Sequence, residues 1–314
     1  MVQDNQLKKV ISHYVKHGLI SASQSYGIST ETVNRYLREY RVRFGDDPIS
    51  DVEEFQSPNI LVFDIETMPL LGYIWGIWDQ NVGLNQIESE WFMATYSAKW
   101  LNEDEVFSDR LTHDEMMAQN DKRLVEGLWK FLEAADVVVA HNGDRFDIKR
   151  SNTRFLKHGI NPPLPYQSID TLKVAKRNFN VTSNKLDYLG EFLGVGRKID
   201  TGGFELWRRC MQGDSEALKE MEKYNVQDVV LLEKVYHKLK PYIKSHPNWG
   251  LFIDGNDSVC PTCGSKDLEW SGSYTTSVGK YSTCRCKNCG SIARSRDTQL
   301  SKNKRKNLIV SIAR

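Results

Sequence analysis

Asp64-Ile65-Glu66 sets two carboxylates at i and i+2, at the end of the apolar run Asn59-Ile60-Leu61-Val62-Phe63. If that run is a buried strand, both acids leave the same face of it. Like charges a few ångströms apart repel and raise each other's pKa unless a cation lies between them, so the pair points to a bound divalent ion. A second acidic segment, Ala140-His141-Asn142-Gly143-Asp144-Arg145-Phe146-Asp147, follows another apolar run, Asp136-Val137-Val138-Val139. Gly143 permits a tight turn, and Asp147 falls at the start of a helix expected over residues 148–159. An acid there serves equally as a helix cap or as a ligand, with Asp144 the better cap. The third segment, Tyr224-Asn225-Val226-Gln227-Asp228, lies in an amphipathic helix expected over 216–239. Tyrosine at i and aspartate at i+4 share one helix face, so a phenol and a carboxylate project together. Taken alone, that spacing also fits an apolar face with one acid at its edge.

A different chemistry sits near the other end of the chain. Five of the six cysteines fall after residue 259: Cys260, Cys263, Cys284, Cys286 and Cys289. Cys260-Pro261-Thr262-Cys263-Gly264 and Cys286-Lys287-Asn288-Cys289-Gly290 are two C-x-x-C-G knuckles, the spacing of a tetrahedral structural Zn²⁺ site of the zinc-ribbon type. Cys284 competes with Cys286 for the third ligand position, and Cys210 reads as a small core residue. So small a segment has too little apolar content to fold alone, which makes metal binding part of its folding free energy. Arg285, Lys287, Arg294 and Arg296, with Trp270, Tyr274 and Tyr281 interleaved, favour contact with nucleic acid over a purely structural knob.

The elements that must position these residues follow from periodicity. Residues 6–17, 21–26 and 30–41 read as three short helices with a Gly27-Ile28-Ser29 turn before the last, whose outward face carries Arg35 and Arg38. This resembles a helix-turn-helix DNA-binding unit (1–45); docking of a protein is the alternative. Residues 46–57 are polar and aperiodic and read as a linker. Strands are expected at 59–64, 73–78, 90–99, 105–108 and 136–140, a helix at 121–133, and mostly helix from there to about Tyr242.

The net charge of +1 conceals a polarity: residues 1–45 carry +4, residues 260–314 carry +8, and the centre carries −11. Basic ends around an acidic centre suit modules that supply phosphate affinity. No stretch approaches the roughly 18 apolar residues of a spanning helix, and residues 1–9 lack a signal-peptide core. The expectation is a protein of the cytoplasm, the host's if the source is a virus, with no membrane partner.

In this order and at these separations, Phe63-Asp64-Ile65-Glu66-Thr67, His141-Asn142 with Phe146-Asp147, and Tyr224 with Asp228 resemble the three motifs of the DEDD exonuclease superfamily in its tyrosine (DEDDy) variant. The nearest likeness is to the exonuclease domain of family B DNA polymerases, over about 58–245. The resemblance implies an α/β fold with a ribonuclease H-like (DnaQ-like) mixed sheet flanked by helices, and 3′ to 5′ hydrolysis of phosphodiester bonds. It implies that Asp64, Glu66, Asp147 and Asp228 bind two Mg²⁺ or Mn²⁺, that Tyr224 positions the attacking water, and that Thr67, Asn142, Phe146 and Lys185 hold the strand. With the helical unit and a zinc ribbon (256–314) attached, the expected substrate is DNA ahead of RNA. A polymerase does not fit in the remaining residues, so a polymerase or a replication or repair assembly is the expected partner, in a phage or mobile element. Two rivals are carried. A transposon-type ribonuclease H-like endonuclease would use Asp297; a non-catalytic DNA-binding regulator would not need the four acids.

Overall fold

The computed structural model describes residues 4–44, 58–79, 81–253 and 256–312; the expected linker at 46–57 lies outside them. The chain opens with two helices rather than three, α1 (Asp4–Ser25) and α2 (Thr30–Phe44). The expected break near Gly18 is absent because one interior glycine costs only about 1 kcal/mol, too little to stop a helix flanked by Leu19 and Ile20. Gly27, at φ 60°, makes the turn between them. Leu7, Val10 and Ile11 of α1 and Val33 and Tyr36 of α2 are buried, as their spacing requires.

The apolar run after Asn59 forms β1 (Ile60–Thr67). A small hairpin follows, β2 (Leu71–Gly72) and β3 (Ile87–Ser89), then β4 (Met93–Trp100) and β5 (Phe107–Arg110). The expected strand at 73–78 does not form. Apolar residues occupy both parities there, so no single face can be buried, and no described strand pairs with the segment. Helices α3 (His113–Met117) and α4 (Lys122–Glu133) lead to β6 (Val137–Ala140), α5 (Asp147–His158), β7 (Gln167–Asp170), α6 (Thr171–Asn178), α7 (Leu186–Phe192), α8 (Phe204–Met211) and α9 (Ser215–Leu239). The edge strand β7 was not expected, since Gln167-Ser168-Ile169-Asp170 has neither an apolar run nor a β-branched majority.

The sheet has the order β5-β4-β1-β6-β7. β1 pairs antiparallel with β4 and parallel with β6, so the sheet is mixed and β1 is its centre. Phe63 and Ile65 point into the core with Leu124, Val125 and Leu128 of α4. The alternate residues face α9, which is tied to that side by Lys99 to Glu233 at 2.5 Å, Ser108 to Glu222 at 2.8 Å and Asn225 to Asp64 at 2.6 Å. Helices thus cover both faces, and β4 is buried along its whole length.

Asp121, at the start of α4, is fully buried and acts as a clamp. Its carboxylate accepts from the Met93 N–H at 2.8 Å, from Arg154 at 2.6 and 2.5 Å, and bonds His158 at 2.7 Å. Burial pushes its pKa up, but the bonds from Arg154, the Met93 N–H and His158 together outweigh this and hold it below the carboxylate range. Removing one partner of a buried pair leaves the other charge unpaired. Asp121→Ala should therefore destabilise the fold by about 3–5 kcal/mol in urea or thermal unfolding, far more than removal of the exposed Lys122–Glu126 pair.

The cysteine-rich segment builds its own three-stranded sheet, β8 (Leu268–Thr275), β9 (Lys280–Cys286) and β10 (Ile292–Thr298), followed by α10 (Lys302–Lys306).

Candidate active site and metal centres

β1, α5 and α9 bring the four expected acids to one region, but not equally. Oxygens of Asp64, Glu66 and Asp228 lie within 4.8 Å of one another. Asp147 falls outside that group. Its buried Oδ1 instead accepts from the Ile65 backbone N–H at 3.2 Å, between the two acids of β1. Asp144 caps nothing in α5; it bonds Lys173 at 2.5 Å and Ser168 at 2.7 Å. The turn before α5 needs its glycine, because a Cβ at Gly143 would stand 2.4 Å from that of Ala140. Asn142 adopts φ 71°, a conformation unusual for a residue with a side chain, and its N–H is taken by Asp170 at 2.9 Å.

Burial and mutual repulsion set the electrostatics of these acids. Burial, then Asp147, Glu66 and Asp228, push the Asp64 carboxyl well above its usual range. Burial and Asp228 raise Glu66 to about 8, and burial raises Asp147 to about 7. Asp228 is raised by burial although Lys198 opposes it. Its Oδ1 is buried with no hydrogen-bond partner among the described residues, an unfilled acceptor beside two further carboxylates. This donor set, oxygen only and anionic, fits hard divalent cations of the Mg²⁺ or Mn²⁺ kind.

Two residues at this site were not among the expected ones. Lys198 donates to the Tyr224 hydroxyl at 2.9 Å and forms an ion pair with Asp228. Burial works against its charge, yet Asp228 holds its pKa above the ordinary lysine range. Only its place in the basic stretch Gly196-Arg197-Lys198 sets it apart in sequence. Asn225 sits inside the third motif and was legible there, but its bond to Asp64 required the fold. Tyr224 also lies edge-on to Trp207, ring centroids 6.5 Å apart, and Trp207 Nε1 donates to the Thr67 carbonyl at 3.3 Å.

Of the remaining expected residues, Thr67 Oγ1 accepts from Arg150 at 2.9 Å, and the Phe146 ring lies 4.5 Å from that guanidinium. Lys185 is exposed and lines a cavity of about 690 Å³ with His141, Lys176 and Lys198. His141 is fixed by Thr171 and the Asn184 carbonyl, both at 2.9 Å, and burial lowers its pKa to about 4. Arg35 is exposed on α2; the Arg38 side chain lies outside the described residues. Asp297 lies on β10 and joins none of the acidic clusters found among the described residues.

Cys260, Cys263, Cys286 and Cys289 converge, each Sγ within 4.8 Å of the others, with 260 to 289 at 3.6 Å and 263 to 286 at 3.7 Å. A tetrahedron with Zn–S of about 2.3 Å has edges of roughly 3.8 Å, so the thiols fit that ion. Cys284 is buried on β9 opposite Ala293 and Trp270 and lies outside the group, so Cys286 is the converging thiol. Both knuckles turn through glycine at positive φ, Gly264 at 74° and Gly290 at 78°. Lys240 is buried near the four thiols; burial lowers its pKa below the ordinary lysine range, and the thiols offset this only in part.

A family model described as the RNase H superfamily matches residues 61–240. No curated protein matches. Among solved structures, the family B DNA polymerase from the hyperthermophilic archaeon Pyrobaculum calidifontis is similar over 59% of this chain, at 17% identity and a TM-score of 0.45; this chain spans 25% of its length. Among the described residues no helix is long and apolar enough to cross a membrane.

The raised acids make a stability prediction. A carboxyl whose folded pKa exceeds its unfolded value opposes folding above the unfolded pKa, and does so fully once pH passes the folded one. With EDTA present, Glu66→Gln should melt several degrees above the parent at pH 8 and lose that advantage as pH falls toward 4.5. Saturating Mn²⁺ should reverse the order.

Proposed function

The chain belongs to the RNase H superfamily, and on that premise we propose that it is a metal-dependent 3′ to 5′ exonuclease of the tyrosine DEDD type, acting on DNA ahead of RNA. The observation that carries this reading is the convergence of Asp64, Glu66 and Asp228 within 4.8 Å, with Tyr224 one helical turn from Asp228. Those three acids, with Asp147 beside them, would hold two Mg²⁺ or Mn²⁺. Such ions, when bound, supply an activated water and neutralise charge on the scissile phosphate and the leaving 3′ oxygen.

The side chains do the rest. Burial pushes the Tyr224 phenol above its already high pKa, so it keeps its proton at neutral pH and serves to orient the attacking water, not to deprotonate it. Lys198 holds Tyr224 and Asp228 in one arrangement through its two bonds. Asn225 fixes one oxygen of Asp64, leaving the other for a cation. Thr67, Asn142, Phe146 and Lys185 hold the strand around this centre. The Cys260–Cys289 module binds one structural Zn²⁺, with Lys240 offsetting the excess negative charge of four thiolates. Its Arg294, stacked 4.0 Å over Tyr281, and exposed Trp270 and Tyr274 offer nucleic acid a cationic, aromatic face. Residues 4–44, with Arg35 outward, add a second DNA contact, and a polymerase or repair assembly is the partner this modular arrangement suits.

A time course on 5′-labelled single strands, 3′-blocked strands and closed circles of DNA and RNA tests the reaction. A descending ladder on free 3′ ends, absent on circles, is expected with Mg²⁺ or Mn²⁺. Asp228→Ala should lose at least about 10³-fold in rate and Asp297→Ala should lose nothing. Cutting of circles that survives Asp228→Ala but not Asp297→Ala would sink this reading in favour of the transposon-type nuclease.

Metal analysis of the purified protein should give one zinc per chain. Cys263→Ser should lose the zinc and unfold the C-terminal sheet, while Cys284→Ser should keep it.

A further inference from the structure

Nowhere else among the described residues do exposed apolar side chains gather as they do on the β2–β3 hairpin. Trp75, Ile77, Trp78 and Leu84 are each more than four-fifths exposed, and Tyr73 and Ile74 more than half. They stand on a defined backbone. β2 and β3 pair through Leu71 with Ser89 and Gly72 with Ile87, so closely that a Cβ at Gly72 would lie 2.9 Å from the Gln86 carbonyl oxygen. The Tyr73 N–H donates to that carbonyl at 2.8 Å, and the Gln86 side chain donates to the Tyr73 carbonyl at 2.9 Å and accepts from the Gly83 N–H at 2.8 Å. The loop is closed by its own bonds, yet a ladder of two short strands is marginal in water, and a patch of this kind calls for a cover.

Composition says what kind of cover. From Leu70 to Ile87 the one charged residue is Asp79. A nucleic-acid backbone or an anionic membrane is met with lysine and arginine, and this segment has neither. Ile74, Ile77 and Leu84 make up half of the patch and give a base nothing to stack on. A charge-poor surface rich in tryptophan and tyrosine is instead that of the centre of a protein interface. Aromatic side chains bury about 150–250 Å² each, so Tyr73, Trp75 and Trp78 offer on the order of 500 Å² before the aliphatic residues are added. With these the patch comes close to the roughly 800 Å² per partner of a stable complex. A surface so nearly free of charge can face itself, with one carboxylate per copy to leave in water.

We propose that the β2–β3 hairpin joins two copies of this chain about a twofold axis, with Tyr73, Trp75, Ile77 and Trp78 of each copy packed on the hairpin of the other. The inference stands on the hairpin alone and on no reading of the reaction. The chain from Glu66 to Leu70 spans at most about 14 Å, so the joint is built beside each acidic centre.

Sedimentation velocity of the full chain, from nanomolar to tens of micromolar, should show a monomer–dimer equilibrium. Ile77→Asp sets a carboxylate inside the patch on both copies and should raise the dimer Kd at least about thirtyfold, with Trp75→Ser raising it by about as much. Both side chains are exposed, so the urea midpoint of the monomer should stay where it is. Trp75 emission, isolated by subtracting that of Trp75→Phe, should shift to the blue and lose access to iodide as concentration rises through the Kd. A wild type that stays monomeric at tens of micromolar overturns the proposal; anisotropy of a labelled oligothymidylate and flotation with neutral and anionic vesicles then tell whether a strand or a lipid surface covers the patch. A dimer that survives both substitutions with Trp75 still open to iodide overturns it as well, by placing the contact elsewhere.

Discussion

Repulsion among carboxylates collected on and around one buried strand is the constraint to which the catalytic half of the chain answers. Asp64 and Glu66 cannot spread apart, because β1 is the centre of the sheet, registered to β4 on one side and β6 on the other. Asp228 arrives from α9, and its own buried Oδ1 has no hydrogen-bond partner among the described residues. Desolvation and mutual repulsion together push these acids toward protonation. The arrangement is costly as a structural element, and a divalent cation bound there would relieve it by supplying the charge that the chain withholds.

What the chain does supply is a rim of groups that keep the acids aimed. Asn225 holds Asp64, the Ile65 N–H holds Asp147, and Lys198 spans Asp228 and Tyr224. Trp207 braces Tyr224 from α8. Each contact joins elements far apart in sequence, so the geometry of the centre depends on α9 lying squarely on the sheet. The Lys99–Glu233 and Ser108–Glu222 bonds pin that helix at points on either side of the motif. The Asp121–Arg154–His158 clamp performs a comparable task for α4 and α5, with buried charges that are fully paired.

The cysteine module solves a different problem by related means. Its three strands bury little: β8 is exposed along nearly its whole length. Four converging thiols stand where a hydrophobic core would, and an ion held by them would contribute folding free energy outright. A buried lysine near the four thiols is the mirror image of the acidic centre: burial works against its charge, while the sulfurs beside it favour it.

Periodicity and motif spacing determined the strands that carry the acids, the helix that carries Tyr224 and Asp228 and the cysteine pairs, because each of these is a local pattern; the mixed α/β class followed from the family resemblance those motifs carry. They misjudged Gly18, whose penalty a long helix absorbs, and residues 73–78, whose apolar content implied burial that no partner strand provides. They also left Asp147 open between cap and ligand and Cys284 open against Cys286. Only the tertiary structure shows where those side chains lie, Asp147 on the Ile65 N–H and Cys284 outside the four converging thiols, since convergence within a few ångströms is a property of elements brought together from distant parts of the chain. The same holds for Lys198 and Arg150. A lone basic residue in a helix or a glycine-rich turn has no signature until packing shows which carboxylate or which aromatic ring it meets.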